Sequence, residues 1–253
     1  MIVNRNALEL DALELSGTSA EAPYPADAVW LPAVVSGGVH ESLLAAGLIG
    51  HPYFGDGEQR CRWIEDMAWW YRCAFSRPVE LGGSPEGTVL RFSCLDTVAD
   101  IWLNGSLLGH ARNQHRSHEY DVTGMLSDDN LLVLRFGPQM EGLLTPAEED
   151  AAVAAIGARQ RAVRPHAAEL PRSDLLLPAV RGRLRKATFS WGWDFAARVP
   201  SVGVLGAITL ARRSPSRLGP VRVHTADLDL VARTATLEVS VGVDDADAAA
   251  EAV

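Results

Sequence analysis

A succession of short apolar segments, separated by turn-forming residues, constrains the fold of this chain more than any other feature. Within one of them, Ala99, Ile101 and Leu103 occupy alternate positions, which predicts a strand with one buried face. Many short strands, beginning roughly every 10 residues, are typical of an all-β sandwich. The clearest of these segments are 69–75, 88–93, 99–104, 107–110 and 131–136.

Local signals add a hairpin and two helices to this pattern. The dipeptide at 104–105 is Asn-Gly, which favours a two-residue hairpin turn. A short helix is predicted from about Val39 to Ala46, where a glycine follows. A second helix is predicted to begin at the capping box of Thr145 and Glu148 and to end near residue 163. The stretch 165–184 is interpreted as a loop.

Composition excludes several classes of partner. The 253 residues carry a net charge of −9 with no block of lysine and arginine, so neither nucleic acid nor an anionic membrane is expected as a partner. No apolar stretch approaches the ~20 residues of a membrane span. The acidic N-terminus does not resemble a signal peptide. The three cysteines Cys61, Cys73 and Cys94 lie far apart, which indicates reduced thiols and a cytoplasmic protein.

No metal or cofactor is expected from the sequence. The seven histidines show no ligand spacing such as HxxxH. The carboxylates at 148–150 fall in the first turn of the predicted second helix, where negative charge favours the helix dipole. We therefore interpret this acidic cluster as a solvated helix end and not as a catalytic site.

The run Trp-Gly-Trp-Asp at 191–194 is the sequence feature that most favours a ligand-binding function. An aromatic ring can stack on the apolar C–H face of a pyranose, and a neighbouring carboxylate can accept hydrogen bonds from its hydroxyls. Two aromatic residues near an acid also occur at strand edges that pack on their own domain. The surrounding segments decide between the two readings.

Four blocks, in order, resemble glycoside hydrolase family 2, and the fourth resembles its β-mannosidases. The fourth block, which contains Arg185 and Lys186 before the Trp-Gly-Trp-Asp run, is similar to the pattern RK-x-x-x-x-FGWDWGPR of β-mannosidases. The third contains Leu-Asp-Thr-Val-Ala-Asp-Ile-Trp-Leu-Asn-Gly at 95–105, which is similar to the family more broadly. The blocks occupy residues 30–53, 63–71, 95–123 and 185–198.

The resemblance implies a domain division. Residues 1–212 would form a jelly-roll, galactose-binding-like β-sandwich with inserted helices. Residues 213–253 would contain a linker and the first strands of a second, immunoglobulin-like β-sandwich, consistent with alternating segments at 221–225 and 234–243.

The resemblance also implies the N-terminal carbohydrate-binding part of a retaining exo-β-glycosidase. Its substrate would be a terminal β-D-mannoside or a related oligosaccharide. Two glutamates perform the chemistry in such enzymes, and in this family they lie on a C-terminal (β/α)₈ barrel that this chain lacks. We therefore assign no catalytic residue and expect this chain alone to be inactive, with the barrel as its partner.

Carried over by the resemblance, the substrate-binding candidates are Trp193, for ring stacking, and Asp194, for hydroxyl binding. Trp191 is a secondary candidate, with core packing as its alternative. Arg198 is a candidate ion-pair partner that would orient Asp194.

Two alternatives stay open, one in the sugar and one in the class of protein. Phe195, Ala196 and Ala197 stand where β-mannosidases have Trp-Gly-Pro. The sugar could therefore be that of a β-galactosidase, β-glucuronidase or exo-glucosaminidase relative. A stand-alone carbohydrate-binding module without a catalytic partner is the other alternative, because the sandwich fold is shared with such modules.

Overall fold

The computed structural model describes residues 7–78, 87–166, 168, 170, 172–213 and 216–245. The strands of its first part are, in chain order, β1 (Ala7–Glu9), β2 (Glu14–Thr18), β3 (Leu31–Pro32), β4 (Ala68–Ser76), β5 (Thr88–Phe92), β6 (Leu95–Asp96), β7 (Ala99–Leu103), β8 (Ser106–Ala111), β9 (His118–Asp121) and β10 (Asp129–Phe136). They are followed by β11 (Trp191–Trp193), β12 (Ala196–Arg198), β13 (Gly203–Val204), β14 (Ile208–Arg212), β15 (Ser216–Asp229) and β16 (Thr234–Asp245).

Two antiparallel sheets form the predicted all-β sandwich. One sheet has the strand order β1-β14-β5-β9, and the other has the order β3-β2-β4-β10-β7-β8. Alternate side chains of each strand point inward, as expected for a pleated strand with one buried face. The inward residues of both sheets share one core that includes Leu90, Phe92, Tyr71, Ile101 and Leu134.

The helices lie in the connections between strands. They are α1 (Val39–Ala45), α2 (Gly57–Arg60), α3 (Pro146–Val163) and α4 (Arg172–Val180), with 3₁₀ helices at Arg62–Asp66 and Thr188–Ser190. The capping box that begins α3 is formed, because the Glu148 backbone N–H donates to the Thr145 hydroxyl and the Glu148 carboxylate accepts from the Thr145 N–H. The predicted inserted helices are therefore confirmed as α1 and α3.

Two segments differ from the sequence prediction. The predicted loop over 165–184 contains α4, whose Leu176, Leu177 and Val180 are buried. Pro178 lies inside this helix, which made a loop the natural reading of the sequence, and burial of the apolar side chains supplies the stabilisation that the proline removes. The stretch from Val202 to Ala211, whose apolar sequence predicts one strand, is divided into β13 and β14.

Strands β15 and β16 pair with each other and with no other described strand. All residues from 221 to 243 are exposed, including Val223, Val239 and Val241. The strand pair agrees with the alternating pattern in the sequence. Residues 214–215 of the predicted linker and the Asp/Ala-rich end at 246–253 lie outside the described residues.

Candidate functional site

The Trp-Gly-Trp-Asp run forms the first strand and part of the turn of a short hairpin. Strands β11 and β12 pair with Trp191 opposite Arg198 and Trp193 opposite Ala196. The connection is therefore a two-residue turn at 194–195. Trp191 and Arg198 lie at the base of this hairpin, and the predicted sugar-binding residues lie at its tip.

A glycine between the two tryptophans permits the path of the strand. Gly192 has a φ of 91°, in the region that side-chain-bearing residues rarely adopt. A Cβ at this position would lie 3.3 Å from the Cβ of Arg198 on the facing strand. The glycine thus allows the backbone to turn while β11 stays close to β12.

The tip presents an aromatic ring and a carboxylate to the outside. The side chain of Trp193 is 56% exposed, and that of Phe195 is 86% exposed. Asp194 is also exposed, and no described residue forms a hydrogen bond or an ion pair with its carboxylate. The two principal candidates are thus adjacent, accessible and available to a ligand.

Trp191 occupies a different environment. It is only 3% exposed and packs in a small hydrophobic cluster with Leu177, Val180 and Leu184. Trp191 lies at the base of the hairpin and packs against α4, whereas Trp193 lies at the tip of the hairpin. This position favours the core-packing alternative for Trp191, because both faces of its ring are covered by protein.

Arg198 connects the base of the hairpin to three other elements, which are the 3₁₀ helix at Arg62–Asp66, α4 and α2. Its Nε donates to Glu65 Oε1 at 3.0 Å and its Nη2 donates to Glu65 Oε2 at 2.6 Å. Its Nη1 forms an ion pair with Asp174 on α4. The Arg198 backbone N–H also donates to Glu58 Oε2 at 2.8 Å, which attaches β12 to α2.

The charges in this cluster balance. Arg62 donates from Nη1 to both oxygens of Asp174 at 3.0 Å, so two guanidinium groups face two carboxylates. Burial disfavours the charge of Arg198, but the hydrogen bonds and charges of Glu65 and Asp174 outweigh it, and the pKa of Arg198 is raised. We name the four residues Arg62, Glu65, Asp174 and Arg198 the clamp cluster.

The predicted ion pair between Arg198 and Asp194 is wrong. Arg198 lies at the hairpin base, where its side chain is 7% exposed and is engaged by Glu65 and Asp174. Asp194 lies in the turn at the opposite end of the hairpin. Arg198 therefore fixes the base of the hairpin and does not contact the Asp194 carboxylate at the tip.

A second buried pair anchors the segment before the hairpin. Lys186 Nζ lies 2.6 Å from both carboxylate oxygens of Asp96 and donates to the Ser201 carbonyl at 2.6 Å. Burial lowers the pKa of Lys186, although the charge of Asp96 opposes this effect. Lys186 is thus a packing and anchoring residue in this structure.

The sequence did not indicate Glu65 and Asp174, which are the two carboxylates of the clamp cluster. Glu65 lies in a 3₁₀ helix and Asp174 lies in α4, which replaces a predicted loop. Neither carboxylate stands in a motif that indicates burial. Both stand among other polar residues, in Arg-Trp-Ile-Glu-Asp at 62–66 and Arg-Ser-Asp at 172–174, so no local pattern singles them out.

Other residues of the family-like blocks at 63–71 and 95–123 have structural roles. Asp121 accepts from the Thr123 backbone N–H at 2.9 Å, and the Thr123 hydroxyl accepts from the Thr88 N–H at 2.9 Å, so both close a turn. Trp69 and Tyr71 are buried in the sandwich core. Within the described part of the chain, no three His, Cys, Asp or Glu residues are placed to hold a metal ion. No helix of the described segments combines the length and apolarity needed to cross a bilayer.

Comparison with known families agrees with the fold and the motifs. Residues 14–206 match the family described as the glycosyl hydrolase 2 galactose-binding domain-like family. Among solved structures, the β-D-mannosidase of Dictyoglomus thermophilum superposes with a TM-score of 0.67 at 26% identity, covering 94% of this chain and 26% of that chain. The exo-chitosanase of Amycolatopsis orientalis superposes with a TM-score of 0.56 at 16% identity, which shows a shared fold alone.

Several curated relatives are named as β-mannosidases. β-Mannosidase B of Aspergillus terreus is 34% identical over 178 residues, which are 69% of this chain and 19% of that protein. The β-mannosidase of Rattus norvegicus is 31% identical over 174 residues, which are 69% of this chain and 18% of that protein. The matched part of this chain thus spans about a fifth of the length of these relatives.

Proposed function

We propose that this chain, which belongs to the glycosyl hydrolase 2 galactose-binding domain-like family, is the N-terminal carbohydrate-binding part of a retaining exo-β-glycosidase. Terminal β-D-mannose is the proposed substrate residue, because the relatives with more than 25% identity are named as β-mannosidases. Residues 1–212 would form the sugar-binding domain, and residues 213–253 would begin an immunoglobulin-like domain. The isolated strand pair β15–β16 supports this division.

The hairpin tip is the observation that carries this proposal. Trp193 would stack on the apolar face of the terminal sugar, and the Asp194 carboxylate would accept hydrogen bonds from its hydroxyls. The clamp cluster supports both roles, since it fixes the base of the hairpin to segments far away in the sequence. Contacts that strengthen as the sugar distorts toward the transition state would raise kcat.

The bond-breaking carboxylates would lie in a (β/α)₈ barrel outside this chain. Retaining enzymes hold two carboxyl groups about 5–5.5 Å apart, one as nucleophile and one as acid/base. We assign neither role here. The acidic cluster at the start of α3 has another function, because Glu148 is engaged by Thr145 and Arg183.

The test is a substitution of the exposed acid in a full-length protein that contains this chain. We expect Asp194→Ala to lower kcat/KM for an aryl β-mannoside at least about tenfold, which corresponds to about 1.4 kcal/mol of transition-state stabilisation. Asp128→Ala is the matched control, because Asp128 is also an exposed aspartate and lies away from the hairpin. An unchanged kcat/KM in a folded Asp194→Ala protein would refute the site.

The same protein separates the alternative sugars. Aryl β-galactoside, β-glucuronide and β-glucosaminide substrates are compared with the mannoside, and a higher kcat/KM for one of them would reassign the substrate. Micromolar sugar binding by the isolated chain that depends on Asp194 would instead favour a stand-alone binding module, because half of a shared pocket should bind weakly.

A further inference from the structure

An aromatic groove lies on the outer face of the six-stranded sheet, and it shares no residue with the β11–β12 hairpin. Its volume is about 300 Å³. We call this feature the outer groove. The residues that line it are Tyr24, Trp70, Trp102, Gly105, Leu131 and Val133.

Three aromatic rings shape the outer groove. The rings of Trp70 and Trp102 are stacked with centroids 6.0 Å apart and planes 26° from parallel. The ring of Tyr24 meets Trp70 edge-on at 5.5 Å. Trp70 is 6% exposed and forms the floor, whereas Trp102 and Tyr24 are half-buried and form two walls. The groove therefore offers flat apolar surfaces at a spacing fixed by ring contacts.

Polar contacts hold the rings in place. The Trp70 indole N–H donates to the Thr18 hydroxyl at 3.1 Å. The Arg135 guanidinium lies 5.9 Å from the centroid of the Trp70 ring and donates to the Ala20 carbonyl at 2.7 Å, which restrains the segment before Tyr24. A site that is ordered before binding loses less entropy when a ligand enters it.

The charged side chains beside the outer groove already have partners. Arg135 lies within 3.3 Å of Glu141 and 3.8 Å of Asp100, and Asp100 also contacts the ring of His110 at 2.6 Å. A charged ligand would have to displace one of these contacts. The indole N–H of Trp102 donates to no described residue, so a hydrogen-bond donor remains beside the apolar walls.

We propose that the outer groove binds the ring of a neutral sugar. The apolar C–H face of the sugar would stack against Trp102 and Tyr24. Hydroxyls at the edge of the sugar ring would form hydrogen bonds with the Trp102 N–H and with the neighbouring side chains of Arg135 and Asp100. The volume is at the lower end of small-ligand sites, which suits one or two sugar units. This inference depends on the groove itself and not on the enzymatic function proposed above.

The experiment titrates this chain with β-1,4-mannotriose and, separately, cellotriose, by calorimetry and tryptophan fluorescence. We expect saturable binding of at least one of them. Trp102→Ala and Tyr24→Ala should each raise Kd about tenfold, because each removes one stacking wall. Phe54→Ala is the matched control for exposed aromatic surface, since Phe54 is 80% exposed and lies outside the groove. Thermal melting confirms that each variant is folded, and Tyr24→Ala keeps the test valid if Trp102→Ala unfolds.

Asp194→Ala separates this site from the hairpin tip. Binding that survives Asp194→Ala and Phe54→Ala but weakens in the groove variants supports the proposal. Binding that is lost in Asp194→Ala and retained in the groove variants overturns it and assigns the bound sugar to the hairpin tip. Absence of saturable binding by either sugar also overturns it, as does a concentration-dependent dimer that Trp102→Ala abolishes, because a second copy would then occupy the groove.

Discussion

The clamp cluster gives a quantitative prediction through the substitution Arg198→Met. Methionine keeps an unbranched apolar stem but removes the guanidinium that faces Glu65 and Asp174. The side chains of Arg198 and Glu65 are 7% and 5% exposed, so Glu65 would keep a buried charge without its partner. Removal of one member of such a pair costs about 3–5 kcal/mol. For a domain of this size, the melting temperature should fall by roughly 6–20 °C.

The assay is thermal and denaturant unfolding followed by circular dichroism, with an exposed ion pair as the control. Arg60 and Asp56 form a contact of 2.8 Å with side chains that are 69% and 63% exposed, so Arg60→Met should cost only about 0–1 kcal/mol. If Arg198→Met costs no more than Arg60→Met, the cluster does not stabilise the hairpin base as we argue.

A double variant tests the cause of the effect. Replacing Arg198 and Glu65 together by methionine removes the uncompensated charge as well as its partner. The double variant should therefore cost about 2 kcal/mol less than the sum of the two single variants. Additive costs would show that Arg198 contributes by packing and not through its charge.

The remaining predictions concern the hairpin and the start of α3. Gly192→Ala should destabilise the chain by about 1–2 kcal/mol, because φ is 91° at this position, and an unchanged unfolding midpoint would contradict the strained geometry. The backbone N–H of Thr145, followed by Arg183, lowers the pKa of Glu148 from 4.5 to about 2. Since the folded pKa lies below the unfolded one, this stabilisation is complete above pH 4.5 and is lost as pH falls toward 2. Glu148→Gln should remove this part of the pH dependence, measured as the helical circular dichroism signal of the chain between pH 4.5 and about 2. An equal loss of that signal on acidification in both proteins would contradict the prediction.

Local patterns were sufficient to predict most of the sandwich. Ala99, Ile101 and Leu103 are all buried, as their alternation predicted, because the side-chain period of a strand is two wherever one face meets a core. The turn at 104–105 has positive φ at both residues, as expected for Asn-Gly. The capping box of Thr145 marked the start of α3, since its hydrogen bonds join residues only three positions apart.

The roles of the two tryptophans of the hairpin could not be separated in this way. Trp191 and Trp193 stand in the same run, two positions apart, and a strand pattern gives them the same face. The structure buries Trp191 against α4 and leaves Trp193 exposed at the tip. The difference depends on a helix in a segment whose proline indicated a loop.

The sequence by itself determined the sandwich, the inserted α3 and a family resemblance that points to sugar chemistry, because each rests on short-range periodicity or on an ordered motif. Only the tertiary structure decided which charges face one another. Arg198 and Glu65 are 133 positions apart, and the predicted partner Asp194 lies four positions away. Proximity in the chain favoured the wrong pair, since the hairpin turn holds Asp194 at the tip while the packing of the 3₁₀ helix and α4 brings Glu65 and Asp174 to its base.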